Sequence, residues 1–368
     1  MRVIFACGAT GGHLYPALSI AEKLKEKYPD MEALFVTTKR DISSEIIEAS
    51  GYSVINIDVA TIDRKHLLNN INALKILGKS MNELKKILSD FKPDFIVGTG
   101  GSVSGVVARA AYKKRIPVFL QEQNVLPGLA NKLAEKYANK IFVAFEESKE
   151  RFKNSDKIIY SGNPLRSNII KEMKLDYKEK LKEGKDLVLL IFAGSQGSNR
   201  INDITSDFLI SIKNRSDIEV YFITGHRMYE RIRKKLDKEG VTKNEKIHVL
   251  SYAQNIHRIY LVADIIISRS GALTVSEIAT MGIPSILIPS PNVSENHQYY
   301  NAKVIEDRGA GLIVEEKNLT MEFLTDEVNR LWNDKELLLK MSENTAKVRQ
   351  LDAADIIVNS IISAIDKH

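Results

Sequence analysis

Short apolar runs alternate with segments of helical period along almost the whole chain. Residues 3–6, 33–36, 54–57, 95–97, 118–120 and 141–144 read as strands. After the first of them, Leu14, Ala17, Leu18, Ala21 and Leu24 recur at spacings of three and four, which predicts a helix that buries one face. Past Ser161-Gly162-Asn163-Pro164 the alternation starts again, with strands at 187–192, 220–224, 248–250, 265–268, 286–288 and 311–314. Two rounds of βα units predict two parallel sheets with helices on both faces. Gly-Asn-Pro is a turn signal, so the boundary falls there. The expected organisation is a first domain over 1–162 and a second over 163–345. Residues 346–368 then form a final helix that packs back on the first domain, the last of three helical segments between about 320 and 366.

Composition narrows the class. A chain of 368 residues that is 44% apolar can fill two cores. Residues 187–193 form about the longest apolar run, far short of the ~20 residues a spanning helix needs. Met1-Arg2 lead into a short strand that ends in glycines, which does not read as a signal peptide. The single cysteine, Cys7, excludes an internal disulfide framework and fits a reducing compartment. The expected location is therefore cytosolic, or at most the surface of a membrane. Charge is unevenly spread: residues 1–160 hold 24 lysines and arginines against 18 acidic residues, and the remainder holds 29 of each. Two readings fit this excess, solvated helix faces or a basic face for anionic lipid, nucleic acid or an acidic substrate.

Candidate chemistry lies at strand ends, where open α/β sheets bind ligands. Glycine-rich turns occupy such places at Gly8-Ala9-Thr10-Gly11-Gly12-His13, Gly98-Thr99-Gly100-Gly101-Ser102, Gly194-Ser195-Gln196-Gly197-Ser198 and Ser270-Gly271. Neither first-half turn spells G-x-G-x-x-G, and no G-x-x-x-x-G-K-[ST] occurs, which disfavours a dinucleotide oxidoreductase and a P-loop ATPase. Small residues from Gly271 through Ala272, Leu273, Thr274, Val275 and Ser276 open a helix whose amides and positive end favour a phosphate. Glu277, just over one turn inside, is placed to accept from a ribose diol, although a solvated helix carboxylate is the plainer reading. Neither a D-x-D pair nor a pair of histidines at ligand spacing is present, so no metal or other cofactor is expected. His13, after two glycines at a strand end, is the candidate general base, because the unperturbed pKa of histidine lies near working pH. The alternative is a histidine that only caps or packs at the first helix. Glu122 is the rival base, or a loop anchor between Gln121 and Gln123.

In this order the residues resemble a bacterial peptidoglycan N-acetylglucosaminyltransferase family, MurG. The likeness runs through Gly11-Gly12-His13, Gly98-Thr99-Gly100-Gly101 with Ser104-Gly105, and Gln121-Glu122-Gln123-Asn124 with Pro127-Gly128. It continues through Gly162-Asn163-Pro164 with Arg166, Gly194-Ser195-Gln196-Gly197, Arg269 to Glu277, and Gln298 with Asn301. The resemblance implies a GT-B fold, two Rossmann-like domains with the active site in the interdomain cleft. It implies metal-independent, inverting transfer of N-acetylglucosamine from UDP-N-acetylglucosamine to the C4 hydroxyl of undecaprenyl-diphosphate-linked N-acetylmuramyl-pentapeptide, converting lipid I to lipid II. Thr10, Gly11, Gly12 and Asn124 resemble positions that meet sugar or acceptor. Uracil would lie near Ala253, the ribose on Glu277, the diphosphate near Ser195 and Thr274, and the sugar hydroxyls near Gln298. Main-chain amides at 195–197, spanning Ser195, Gln196 and Gly197, and at 271–273, with Arg166, would stabilise departing UDP. Arg269 fits a buttress for its loop. Ser102 departs from relatives with an aromatic residue there, and no role is assigned to it.

A lipid acceptor requires docking at the cytoplasmic face of the cell membrane, as a peripheral protein. Residues 61–92 suit it: Leu67, Leu68, Ile71, Leu74 and Leu77 recur at near-helical spacing among Arg64, Lys65, Lys75, Lys79, Lys85, Lys86 and Lys92. An ordinary core-facing helix with a basic outer face fits equally, and Met81, Leu84 and Leu88 are expected to face the core. Rival functions are another UDP-sugar enzyme, either a glycolipid glycosyltransferase or a UDP-N-acetylglucosamine 2-epimerase, and a non-catalytic nucleic-acid module. The last should interleave aromatics with basic residues, and 61–92 holds none before Phe91.

Overall fold

In a computed structural model the protein is described over residues 1–38, 42–59, 70–172, 185–194 and 197–366. The chain divides into two compact units, Met1–Ser167 with Gln350–His368, and Asn168–Arg349.

The first unit carries a seven-stranded parallel sheet in the order β3-β2-β1-β4-β5-β6-β7. Its strands are β1 (Arg2–Cys7), β2 (Glu32–Thr38), β3 (Ser53–Ile57), β4 (Phe95–Gly100), β5 (Val118–Glu122), β6 (Lys140–Val143) and β7 (Ile158–Tyr160). Six of these were legible as apolar runs. The seventh, Ile158–Tyr160, was not, because it is three half-buried residues long at the sheet edge. Helices α1 (Gly11–Lys27), α2 (Ile42–Ala49), α3 (Asn70–Phe91), α4 (Gly101–Lys113) and α5 (Leu129–Ala134) connect them. One face of the sheet packs Leu84 and Leu88 of α3 with Val103 and Val107 of α4. On the other face Leu14, Ala17, Leu18, Ala21 and Leu24 of α1 pack with Ile357, Val358 and Ile361. These last belong to the final helix, Ala353–Ile365.

The second unit repeats the topology with six parallel strands, β10-β9-β8-β11-β12-β13. They are β8 (Leu187–Phe192), β9 (Ile218–Ile223), β10 (Ile247–Leu250), β11 (Ile265–Ser268), β12 (Ser285–Leu287) and β13 (Gly311–Ile313). Both sheets follow the 3-2-1-4-5-6 winding of a nucleotide-binding fold, so each reverses direction between its first and fourth strands. That reversal opens a crevice at the carboxyl ends. It lies between β1 and β4 in one unit and between β8 and β11 in the other. β4 and β8 are buried at every position, as strands covered on both faces must be.

The chain leaves the first unit after Ser167, and Gly162-Asn163-Pro164 lies inside that unit. The reason is polar: the Asn163 carboxamide is buried and bonded to Gln121 and Gln123.

Candidate functional site

At the first crevice the turn after β1 meets the end of β4, Gly8 N–H donating to Gly100 C=O at 3.0 Å. His13 stands in the first turn of α1 with its imidazole against this junction. A Cβ on Gly100 would lie 2.6 Å from His13 Cδ2 and 2.8 Å from Nε2, and one on Gly8 would lie 2.8 Å from Nδ1. Gly100 and Gly101 have φ of +112° and +77°, a region that side-chain-bearing residues rarely adopt. The glycines therefore make room for one imidazole ring. Thr10 Oγ1 lies 3.2 Å from His13 Nδ1, and the Thr99 hydroxyl donates to the His13 carbonyl at 2.7 Å. Thr10, Gly11 and Gly12 are exposed around a half-buried His13.

Behind this bay the Gln-Glu-Gln-Asn run ends β5 in a buried polar network. Gln123 Nε2 donates to the Thr99 carbonyl at 2.6 Å and also bonds Gln121 Oε1. Gln121 Nε2 donates to Asn163 Oδ1 at 3.1 Å, and Asn163 Nδ2 returns to the Gln123 carbonyl at 3.2 Å. Glu122 is only 2% exposed. Its Oε1 accepts from the Asn124 amide at 3.0 Å and from the Asn124 side chain at 3.3 Å. Its Oε2 accepts from the Gly128 amide at 3.0 Å and from Asn131 Nδ2 at 2.8 Å. Burial pushes the Glu122 carboxyl above the usual range while these donors pull it back. This is the geometry of a loop anchor, which holds half-buried Asn124 over the strand end. Arg166 lies over the Tyr15 ring, 4.9 Å from its centre.

At the second crevice Ser195 and Gln196 lie outside the described residues. Gly197 has φ +74°, and a Cβ there would stand 2.2 Å from the Thr224 carbonyl, so only glycine fits. Ser198 caps helix Asn199–Ser211 and accepts from Arg269 Nη2 at 3.0 Å. Arg269 also donates to the Ile288 and Pro289 carbonyls and pairs with Glu316, so it ties the turn after β8 to those after β11 and β12. Gly271, extended at φ −60° and ψ 145°, precedes helix Ala272–Met281 and has no side chain with which to cap it. A helix start of this kind can receive an anion. Five residues into the helix, half-buried Glu277 accepts from the hydroxyl of buried Tyr260 at 3.0 Å. That bond orients the carboxylate and distinguishes it from a freely solvated one.

Gln298, in the first turn of helix His297–Asp307, accepts from the Ser290 amide at 2.9 Å, and its carbonyl accepts from Ser270 at 2.8 Å. Asn301 Nδ2 donates to the Ser270 carbonyl at 3.3 Å. Glu295 and Asn296 precede this helix at φ 55° and 54°, a sharp reversal that aims its start at the Ser270 turn. A cavity of about 390 Å³ is lined here by Gly197, Ser198, Arg269, Ser290 and Gln298 among others. Half-buried Ala253 and exposed Tyr252 follow β10, and the Tyr252 ring stacks on His226 at 5.2 Å. The partners of His13, Glu277 and Gln298 carry no local sequence signal. The polar run 121–124 directly after an apolar strand is the one cue that a buried network lay there.

Two Rossmann-like domains with these glycine-lined crevices form a GT-B architecture, and the family matches make it that of a glycosyltransferase. The family models for the glycosyltransferase family 28 N-terminal and C-terminal domains match residues 3–143 and 188–357. A Thermoanaerobacter sp. (strain X514) protein is 37% identical over 364 residues, 99% of this chain and 100% of that protein. It is named a UDP-N-acetylglucosamine--N-acetylmuramyl-(pentapeptide) pyrophosphoryl-undecaprenol N-acetylglucosamine transferase. The crystal structure of Acinetobacter baumannii MurG superposes with TM-score 0.80 at 25% identity, covering 98% of this chain and 99% of that one. The chain belongs to glycosyltransferase family 28 and, within it, to the MurG family. A UDP-GlcNAc 2-epimerase from Neisseria meningitidis shares the fold alone, with TM-score 0.70 at 17% identity, covering 99% of this chain and 100% of that one.

Proposed function

We propose that this chain transfers N-acetylglucosamine from UDP-N-acetylglucosamine to the C4 hydroxyl of N-acetylmuramyl-pentapeptide carried on undecaprenyl diphosphate. The observation that carries this reading is the imidazole of His13, set against three glycines beside exposed Thr10, Gly11 and Gly12, in a chain whose relatives are named for that transfer. The acceptor hydroxyl gives its proton to His13 as its oxygen bonds to the anomeric carbon. The bond from that carbon to the β-phosphate oxygen breaks, UDP leaves with the electron pair, and the centre inverts from α to β.

Main-chain amides at the Gly271 helix start and the Gly194–Ser198 turn meet the charge that builds on the diphosphate. Glu277, oriented by Tyr260, takes the ribose hydroxyls, and uracil lies against the backbone at Ala253. Gln298 faces the sugar hydroxyls. Glu122 serves as the anchor of the Asn124 loop, and His13 as the base. A UDP-N-acetylglucosamine 2-epimerase keeps only the shared fold in its support.

The acceptor's lipid places the reaction at the cytoplasmic face of the membrane. Among the described residues no helix is long and apolar enough to cross a bilayer. We assign surface docking to the outer faces of α3, α4 and α5, which pack on one another in that order. Ile76, Tyr112, Leu129 and Leu133 are exposed there among Lys75, Lys79 and Lys113, with Lys136 in the turn just after α5. Arg64, Lys65, Leu67 and Leu68 lie outside the described residues, as do the side chains of Ile71 and Leu74, and Leu84 and Leu88 face the core.

The test is UDP release with the donor and the lipid-linked acceptor. Release should require acceptor and fall steeply, to a measurable residual rate, in the His13→Ala protein; release that ignores the acceptor overturns the reading.

A further inference from the structure

We propose that Thr99 is a positioning residue for His13, and that the buried amides of Gln123, Gln121 and Asn163 hold Thr99 in place. The proposal rests on the reading of His13 as the base. Thr99 is the next-to-last residue of β4, fully buried, and 86 positions from His13 in sequence. Its hydroxyl donates to the His13 carbonyl at 2.7 Å, a group that the first turn of α1 would otherwise bond only from within the helix. The contact therefore fixes where α1 starts relative to the end of β4. The imidazole is then trapped between that start and Gly100. Because Thr is β-branched, its χ1 has little freedom, and the direction of its hydroxyl follows the direction of its backbone.

That backbone is held in turn. Gln123 Nε2 donates to the Thr99 carbonyl at 2.6 Å, Gln121 holds Gln123, and Asn163 bonds both. All four side chains are at most 3% exposed, so water cannot readily replace a partner lost from the network. The Gly-Thr-Gly-Gly, Gln-Glu-Gln-Asn and Gly-Asn-Pro segments thereby form one polar chain that ends at the His13 main chain. A merely structural role for Thr99 would lower stability without singling out the proton-transfer step.

The experiment is a double-mutant cycle on the full-length enzyme, with UDP release in the presence of lipid-linked acceptor as readout. Thr99→Val should lower kcat by about tenfold to a hundredfold, the penalty of a small misplacement at a reacting centre. The donor KM and UDP affinity should stay at wild-type values, and Thr99→Ser should restore the rate. In a His13→Ala background Thr99→Val should cost nothing further, because the residue it positions is gone. Thr99→Ala, which also lacks the hydroxyl and cannot overpack, carries the same expectation should the valine variant fold poorly. Wild-type kcat in Thr99→Val and Thr99→Ala, or an equal loss with and without His13, overturns the positioning role alone. Full activity of His13→Ala overturns both this role and the base assignment.

Discussion

His13 shows how a single side chain can govern its surroundings. Its ring fills the volume that a Cβ on Gly100 would need. Gly100→Ala should therefore both strain a φ of +112° and displace the imidazole. The expected result is a fall in kcat of about a hundredfold with UDP affinity retained. Calorimetry beside a rate assay decides it, and a normal rate would mean that the ring need not sit there. Glu277→Ala makes the opposite separation. It removes the acceptor of the buried Tyr260 hydroxyl and the proposed partner of the ribose. UDP affinity should drop by about tenfold or more, the worth of a hydrogen bond to a charged group. Glu277→Gln, which keeps an acceptor, should lose less, and unchanged affinity in both variants would remove the ribose role. His13, Glu277 and the glycines stand out as candidates in the sequence because they lie in or just beyond the turns that follow apolar strands. The roles of Thr99 and Tyr260 were not legible, since they arise from contacts 86 and 17 positions away.

Periodicity carried the elements well. The continuous apolar runs of β4 and β8 and the spacing of Leu14 to Leu24 each match the burial they acquired. What periodicity left out was the polar end of a strand: β4 continues through Gly98-Thr99-Gly100, and β5 through Gln121 and Glu122, where no apolar pattern marks them. Local pattern also misses charges buried by distant partners. Lys335 opens helix Lys335–Thr345 with its ammonium over the Trp332 ring and no hydrogen-bond acceptor among the described residues. Burial lowers its pKa to about 8, with Lys185 adding to the shift and Asp264 opposing it. A folded value below the unfolded one means that the unfolded chain binds the proton more tightly. Between about 8 and 10.5, then, stability rises with pH. Lys335→Met should melt higher than the wild type at pH 7, and the difference should shrink as pH rises through that window. Melting curves across it suffice, and a constant difference at every pH would show that the ammonium is not the cause.

For the whole molecule, the chain passes out of the first unit and returns to it, so the last helix completes the face on which α1 lies. Ile357→Ala should consequently cost about 2–5 kcal/mol, the usual loss for a fully buried large aliphatic residue, and be felt at the helix that bears His13. Charge nearly follows the same division, with a net +5 on the first unit and +1 on the second. A lipid-borne acceptor and a basic first unit together predict salt-sensitive adsorption to anionic membranes. Each lysine near such a surface contributes about 1 kcal/mol, and screening beyond about 10 Å at 0.1 M salt removes much of it. Lys75→Glu with Lys79→Glu should therefore weaken co-sedimentation with phosphatidylglycerol vesicles by tenfold or more on this scale. Leu133→Asp, at an exposed apolar position on α5, should weaken it further at any salt. Activity on a soluble acceptor analogue should be unaffected by all three changes, since none of them touches His13 or its supports. Equal binding to neutral and anionic vesicles, indifferent to salt, would place the docking surface elsewhere and leave the basic excess as ordinary solvated helix faces.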